Sequence, residues 1–317
     1  MSGFSKTLLQ GLLAISLISV LATSFSSPDN GFDLSNSSIP GDQILSGGPA
    51  KDGIPALDKP HFIAASAADY LQTDDRILGI ELDGISRAYP IAILNWHEIV
   101  NDRIGQHPFA ITYCPLCGTG VAFSARVQGK TLDFGVSGLL YNSDVLLYDR
   151  QTESLWSQIK SQAISGVMAG QQLQRIPLTH TSWSDWLQTH PDSQVLSDKT
   201  GYQRDYSRNP YSGYENSRAL YFQVSDQAPS TFHPKERVLG LEFNDQFKAY
   251  PLSEIDKAGQ PLIEDSFAGN IFQIHWNRKN QRASITDSDG NNMAAIEGFW
   301  FAWFTFHPQT EVFKYQE

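Results

Sequence analysis

The sequence predicts a mainly β, α+β fold made of two similar antiparallel β-rich units from an internal duplication, with a few short helices. Short apolar runs bounded by Gly, Pro, Asn and Asp recur at close spacing, which is typical of strands joined by tight turns. The run 76–91 returns as 237–252, and block 148–153 returns as 306–311, so we expect one structural unit to occur twice. Helical spacing is confined to brief stretches.

The N-terminal segment 1–27 is predicted to be a signal peptide or an N-terminal anchor. Lys6 is its only charge, an apolar stretch follows, and small residues at 22–24 suit signal peptidase. The stretch is short for a membrane span, which needs about 20 apolar residues. We therefore expect an exported protein that is periplasmic, on the cell surface or secreted. Segment 28–60 is rich in Ser, Gly, Pro and Asp and is predicted to be a linker.

The first repeat unit is expected at 61–156. An apolar-rich run ending at Asp83-Gly84 predicts a strand entering a hairpin, and Pro90 suits the first turn of a helix. The predicted elements are strands 77–82, 86–89, 109–113, 121–125 and 131–136, with a helix from Pro90 to about Val100.

An extra section of the first unit, 157–232, separates it from the second unit, 233–317. In the extra section we expect a hairpin near 163–176 and a helix at 182–189 capped by Thr181 or Ser182. The second unit is expected to contain strands 238–243, 247–250 and 271–276, a helix at 251–257, and an apolar C-terminal strand with Trp300 and Trp303.

The net charge of −11 disfavours two classes of partner. Nucleic acids and anionic membrane surfaces are bound largely by basic residues, so we expect neither as a partner. Contact with a membrane is expected only through an uncleaved segment 1–27. The sequence carries no nucleotide signature, and the absence of His after Cys117 excludes the usual motif of covalent haem attachment.

The chemistry is predicted to lie at the turn Cys114-Pro-Leu-Cys117, which contains both cysteines of the chain. Pro after the first Cys and Gly after the second make a tight knuckle on which both sulfurs converge. Zinc ribbons need a second such knuckle, and this chain has none. His97, just before the preceding strand, is the nearest candidate for a third ligand. Two thiolates and an imidazole with one open position suit Zn, and soft thiolates also suit Cu(I).

The repeat supports a special role for this region of the first unit. The run 95–98, which contains His97, aligns with 256–259, where no His stands, and the second unit has no cysteine. Residues present in only one copy of a shared scaffold are free to carry chemistry. The sequence therefore places the candidate metal ligands Cys114, Cys117 and His97 in one unit only.

Two alternatives use the same cysteines differently. One is a thiol–disulfide redox protein, although Gly118-Thr-Gly120 does not favour the helix N-terminus that activates thioredoxin-type thiols. The other is a non-catalytic extracytoplasmic binding module with an inert local disulfide and an aromatic surface at 202–214.

Further polar residues are weaker candidates. A ligand or proton acceptor could come from Asn142, Asp144, Asp149 or Glu153, although polar residues near turns more often cap the backbone. Run 233–236, His-Pro-Lys-Glu, either faces the same site or forms a surface loop.

Several longer runs carry a family resemblance. They are Asn-Trp-His-Glu-Ile-Val-Asn-Asp at 95–102, Thr-Tyr-Cys-Pro-Leu-Cys-Gly-Thr at 112–119, Phe-Gly-Val-Ser-Gly-Leu-Leu-Tyr-Asn-Ser-Asp at 134–144 and Tyr-Asp-Arg-Gln-Thr-Glu-Ser-Leu-Trp-Ser-Gln at 148–158. With these runs the chain resembles a family of exported bacterial and archaeal proteins known only as a domain of unknown function. The resemblance covers about 50–315 and implies an intact family member, with the signature residues matched at His97, Cys114 and Cys117. It implies no activity.

Overall fold

The structure is a computed structural model that describes residues 29–315, so the predicted leader at 1–27 lies outside the described residues. The predicted fold class is confirmed, since the described chain is mainly β, with several antiparallel sheets and short helices. Within residues 29–315, no helix is long and apolar enough to span a bilayer.

The elements up to the cysteine turn follow the predicted order. They are β1 (Ile44–Ser46), β2 (Phe62–Ala64), β3 (Arg76–Leu82), β4 (Ile85–Pro90), α1 (Ile91–His97), β5 (Ile99–Ile104), β6 (His107–Cys114) and β7 (Thr119–Ser124). Helix α1 ends earlier than predicted, because Glu98 adopts a positive φ of 58° and Ile99 already begins a strand that pairs with β6.

Strands continue after β7, and one helix interrupts them. These elements are β8 (Arg126–Val127), β9 (Lys130–Thr131), β10 (Phe134–Tyr141), β11 (Asp144–Asp149), β12 (Leu155–Ser157), β13 (Gln162–Ala163), β14 (Arg175–Ile176), β15 (Thr179–Ser182), α2 (Trp183–Thr189) and β16 (Gln194–Leu196). The predicted cap of α2 is confirmed at Ser182, whose hydroxyl accepts a hydrogen bond from the Asp185 N–H.

No helix or strand is assigned in segment 197–236. Regular structure resumes with β17 (Arg237–Phe243), β18 (Gln246–Pro251), α3 (Leu252–Lys257), β19 (Leu262–Phe267), β20 (Asn270–Asn277), β21 (Arg282–Asp287), β22 (Ile296–Phe299), α4 (Trp300–Phe306) and β23 (Glu311–Val312).

The prediction of a C-terminal strand around Trp300 and Trp303 is wrong, because both residues lie in α4. An apolar run of this length does not by itself separate a buried strand from a buried helix. Trp300, Trp303 and most of their neighbours in α4 are buried, so the helix is apolar on nearly every side.

Two four-stranded arrays share the same pairing order. One runs β15-β3-β4-β16 and the other β22-β17-β18-β23, each with two antiparallel pairs followed by a parallel one. Residues 179–196, inside the predicted extra section, thus have the same arrangement as the C-terminal residues 296–312. The matched blocks 148–153 and 306–311 differ, since the first begins in the last two residues of β11 and the second runs from the end of α4 to the start of β23. The internal duplication itself stays a prediction from the sequence.

A single large sheet joins the two halves of the chain. Its order is β23-β18-β17-β22-β7-β6-β5, with β14 also paired to β7. The link between halves is the pair Glu297↔Gly120 of β22 and β7. A second sheet, β1-β10-β11-β12-β13, packs beside it and shares a core that contains Cys114, Cys117, Trp156 and Trp300.

Segment 28–60 is packed against the body over the residues that the structure describes. Phe32, Ile39 and Ile44 are buried, and β1 pairs with β10. The Leu57 N–H donates to the Ile99 carbonyl at 2.9 Å, so the segment lies beside β5 at this point.

Candidate metal centre

The cysteine turn lies between β6 and β7, as the sequence predicts. Cys114 is the last residue of β6, and the Cys117 N–H donates to the Cys114 carbonyl at 3.2 Å. Gly118 follows with a φ of +61°, a conformation that favours glycine. The Cys117 carbonyl accepts from the Phe299 N–H at 2.8 Å, so β22 holds the turn from the other half of the chain.

A second turn meets the cysteines from the neighbouring sheet. Asn142 and Ser143, with φ of 53° and 66°, form the two-residue hairpin turn between β10 and β11. The Cys117 thiol donates to the Ser143 carbonyl at 3.2 Å, and the Cys114 sulfur lies 3.8 Å from the same oxygen. Asp144 is the first residue of β11, so the turn delivers its carboxyl group to the same place.

Cys114, Cys117 and Asp144 form a group able to hold a metal ion. One ligand atom from each lies within 4.8 Å of the other two, and all three residues are buried. Ligand atoms in a tetrahedral zinc site are roughly 3.5–4 Å apart, given a Zn–S distance of about 2.3 Å. A small contraction would therefore bring these atoms into coordination distance.

An unsatisfied hydroxyl lies in the turn that forms this group. The Ser143 side chain is fully buried, and its Oγ has no hydrogen-bond partner among the described residues. Buried polar atoms are nearly always paired, so such an atom points to a missing water or ion.

The Asp144 carboxyl is held in place from two sides. Its Oδ2 accepts from the Ile159 N–H at 3.2 Å, and its Oδ1 lies 3.3 Å from the Thr119 hydroxyl. The Thr119 hydroxyl is also 2.6 Å from Gln158 Oε1. These contacts orient the carboxylate and leave each oxygen a lone pair for a metal, as surrounding residues do in metal sites.

If Cys114, Cys117 and Asp144 were ionised, no basic side chain among the main causes of their pKa shifts would balance the negative charge. Burial raises the pKa of Asp144 to about 7 and the pKa of both thiols above their usual value. The main causes of these shifts include no basic side chain. Buried charges without a partner are costly, so the group is either protonated or bound to a cation.

The thiols of Cys114 and Cys117 are free rather than joined in a disulfide bond. The inert local disulfide considered from the sequence is therefore not the state that the structure has.

His97 lies outside the three-residue group. Its Nδ1 is 2.7 Å from the Pro55 carbonyl, which can only accept, so Nδ1 carries the proton. Its Nε2 is 2.7 Å from the Tyr206 hydroxyl, and burial lowers the pKa of His97, so the neutral ring accepts there. Both ring nitrogens thus already have protein partners. The structure brings Asp144 to the cysteines in the place where the sequence interpretation put His97.

The other weak candidates serve the fold. Asp149 accepts from the Trp156 indole N–H at 2.9 Å and from Thr152, and Glu153 pairs with Lys51. The His233 ring nitrogen Nδ1 accepts from the Lys235 N–H in its own turn.

Glu98 is a residue of this region that the sequence reasoning did not single out. Burial and the negative charge of Asp144 raise its pKa to about 8. A cavity of about 210 Å³ is lined by both Glu98 and Cys114. A larger cavity of about 790 Å³ lies on the other side of Pro115 and Tyr211, which line both.

The family model described as "Protein of unknown function (DUF3179)" matches residues 51–310. The chain belongs to the DUF3179 family. Neither the curated proteins nor the solved structures contain a match to it. The cysteine turn, the hairpin turn at Asn142-Ser143 and Glu98 all lie inside the part of the chain that the DUF3179 model covers.

Proposed function

We propose that this DUF3179 protein holds a resident zinc ion at Cys114, Cys117 and Asp144. The observation that carries the proposal is the buried convergence of two sulfurs and a carboxylate within 4.8 Å. All three are ligand types that zinc takes in proteins. The orphaned Ser143 hydroxyl and the lack of a balancing basic group support a cation at the same place.

Zinc fits better than Cu(I) because one of the three ligands is a carboxylate. Copper(I) selects soft sulfur ligands, whereas zinc accepts thiolate, imidazole and carboxylate together. Cys117 is fully buried and Cys114 is 2% exposed, so the ion would exchange slowly. This burial favours a resident ion over a cargo ion in transit.

Three protein ligands leave one coordination position open, as in catalytic rather than structural zinc sites. Cys114 also lines a cavity, so small molecules held there would lie next to the proposed ion. We therefore propose a metalloenzyme of the exported compartment rather than a metal-stabilised scaffold.

The thiol–disulfide alternative has less support. Reactive thiols have a lowered pKa in electropositive, partly exposed surroundings. Here burial raises the pKa of both thiols, and neither sulfur is exposed.

Elemental analysis tests the metal proposal. Protein purified from its native compartment should contain one zinc per chain with two reduced cysteines. Asp144→Asn and Cys114→Ser should weaken zinc binding by more than about 100-fold, the upper range for loss of an outer-shell partner. His97→Gln is the matched control and should keep its zinc, since His97 lies outside the group.

Three outcomes would contradict the proposal. Loss of zinc in His97→Gln but not in Asp144→Asn would return the ligand role to His97. Copper at one equivalent would replace zinc as the metal. Metal-free protein with two reversibly oxidised thiols would favour the redox alternative.

We also propose that the protein is exported, on the evidence of segment 1–27. Cell fractionation of the full chain and of a chain lacking residues 2–27 tests this. The full chain should reach the extracytoplasmic fraction and the shortened chain should not; equal distribution of both would refute export.

A further inference from the structure

The cavity beside Cys114 is small and mostly apolar. Its volume is about 210 Å³, and its walls include Leu116, Leu140, Val145 and Phe222. An apolar cavity of about 150 Å³ is known to bind benzene, whereas drug-sized ligands occupy roughly 300–1,000 Å³. The space therefore fits a molecule of about one ring.

Aromatic side chains form one side of this cavity. Tyr211, Tyr221 and Phe222 line it, and all three come from segment 197–236, which has no helix or strand. Aromatic walls favour a flat ring as occupant, through stacked or edge-to-face contacts.

Glu98 is an unusual residue for its backbone position. Its φ is 58°, and the residue aligned with it after α3, Gly259, has a φ of 63°. The position thus calls for a left-handed backbone, which glycine adopts without strain and glutamate does not. Strained residues of this kind cluster at functional sites.

Two hydrogen bonds fix the backbone at Glu98, which lines the cavity. Its N–H donates to the Leu94 carbonyl at 2.8 Å, and its carbonyl accepts from the Tyr113 N–H at 2.7 Å. The residue is 7% exposed and lines the cavity. Its carboxyl group has no hydrogen-bond or ion-pair partner among the described residues. A largely buried carboxyl group without a protein partner can take one from a ligand.

We propose that this cavity binds a single-ring aromatic molecule with one hydroxyl group, such as a phenol, and that Glu98 holds the hydroxyl. A hydroxyl both donates and accepts, so it complements Glu98 whether the carboxyl group is ionised or neutral. Charged ligands fit less well, because the remaining walls are largely apolar. The ring would lie next to Cys114. The cavity proposal rests on the proposed zinc site only if the bound molecule also contacts the metal.

Fluorine NMR with 4-fluorophenol and fluorobenzene tests the proposal on the full chain, with and without zinc. The wild type should bind 4-fluorophenol about tenfold more tightly than fluorobenzene, the effect of one good buried hydrogen bond. Glu98→Gly should abolish that preference while remaining folded, because glycine relieves the strained φ. Glu81→Gln, an exposed acid on β3, is the matched control and should keep the preference.

The results separate the two proposals. If 4-fluorophenol binds in the absence of zinc, the ligand proposal for the cavity is supported even if no metal ever binds. If zinc binds but 4-fluorophenol does not, only the ligand proposal is overturned. Equal affinity for both compounds in the wild type, or an unchanged preference in Glu98→Gly, would overturn the role of Glu98.

Discussion

Two acidic side chains, Glu98 and Asp144, lie where water hardly reaches them. Burial raises the pKa of Glu98 to about 8 and that of Asp144 to about 7, and the negative charge of Asp144 adds to the shift of Glu98. In the unfolded chain both would titrate near pH 4. Their ionisation therefore opposes folding unless a cation is bound.

The first prediction concerns stability against pH in the metal-free protein. A carboxyl group with a raised pKa in the folded state imposes no cost below about pH 4, where it is protonated in both states. The cost appears as pH rises and is complete above about 8. Asp144→Asn should thus be stabilised relative to the wild type by an amount that grows from pH 5 to pH 8, measured by urea unfolding. A difference that shrinks with pH would contradict the assignment.

A second prediction follows for metal binding. Before zinc arrives, both thiols are protonated and Asp144 is protonated below its pKa of about 7, so binding must release protons. Apparent zinc affinity should fall as pH falls, by about tenfold per pH unit for each proton released. Competition with a chromophoric chelator at pH 6, 7 and 8 measures this. A pH-independent affinity would mean that the ligands are not these three groups.

The residues of the site were only partly predictable from the sequence. Cys114 and Cys117 stand out because they are the only cysteines and share one tight turn. Asp144 was one polar residue among several near turns, and its approach depends on pairing between distant strands. The available signal was Asn142-Ser143 after an apolar run, which predicts a hairpin turn that points the next residue back to the sheet. His97 lies outside the group, because closeness in the chain does not fix which neighbours its ring contacts.

At the level of elements, two glycines allow helices α2 and α4 to pack on the sheets. A Cβ at Gly79 would lie 2.4 Å from the Trp186 ring, and one at Gly240 would lie 2.2 Å from the Trp303 ring. Gly79→Ala and Gly240→Ala should each lower the free energy of unfolding by about 1–3 kcal/mol, the usual cost of overpacking. Gly41→Ala is the control, since it has open space and an ordinary φ. Equal stability of all three variants would show that the tryptophans move aside freely.

Two hydrogen bonds join segment 197–236 to α1. The Tyr206 hydroxyl bonds to His97, and the Trp96 indole N–H donates to the Arg208 carbonyl. Within the segment, the Tyr206 hydroxyl also lies 2.6 Å from the Thr200 hydroxyl. Tyr206→Phe should therefore speed limited proteolysis within this segment, followed by mass spectrometry. Tyr202→Phe should leave the rate unchanged, because the Tyr202 ring packs on His97 without a hydrogen bond from its hydroxyl. Equal rates in both variants would mean that other contacts hold the segment.

The strands were easier to predict than the helices. Runs bounded by turn residues gave β3, β6, β7 and β17 nearly as they are. The sequence predicted a strand where the structure has α4, because this apolar run has no polar face and its periodicity does not separate a helix from a strand. The early end of α1 depends on the positive φ of Glu98, which sequence propensity does not foresee.

At the level of the whole molecule, the two halves meet at the buried acid Glu297. It pairs with Arg237 and lies near Arg76 and His180, and it is 3% exposed. Removing one partner of a buried ion pair costs about 3–5 kcal/mol, because the remaining charges lose compensation. Glu297→Gln should show this loss in chemical unfolding. Glu242→Gln, which removes the more exposed partner of Arg175, should cost far less. Similar losses of unfolding free energy in both variants would show that Glu297 is no more important for stability than a more exposed ion pair.

The sheet that runs through both halves of the chain limits which fragments of the protein can fold alone. A fragment ending near residue 232 would lack β22, which pairs with β7 at Gly120 and covers the cysteine turn through Phe299. Bare strand edges pair with other chains, so such a fragment should aggregate rather than fold as an autonomous module. A chain nicked within 197–236, by contrast, should hold together as a two-piece complex, because the cut removes no strand and the β22–β7 pair still joins the two pieces.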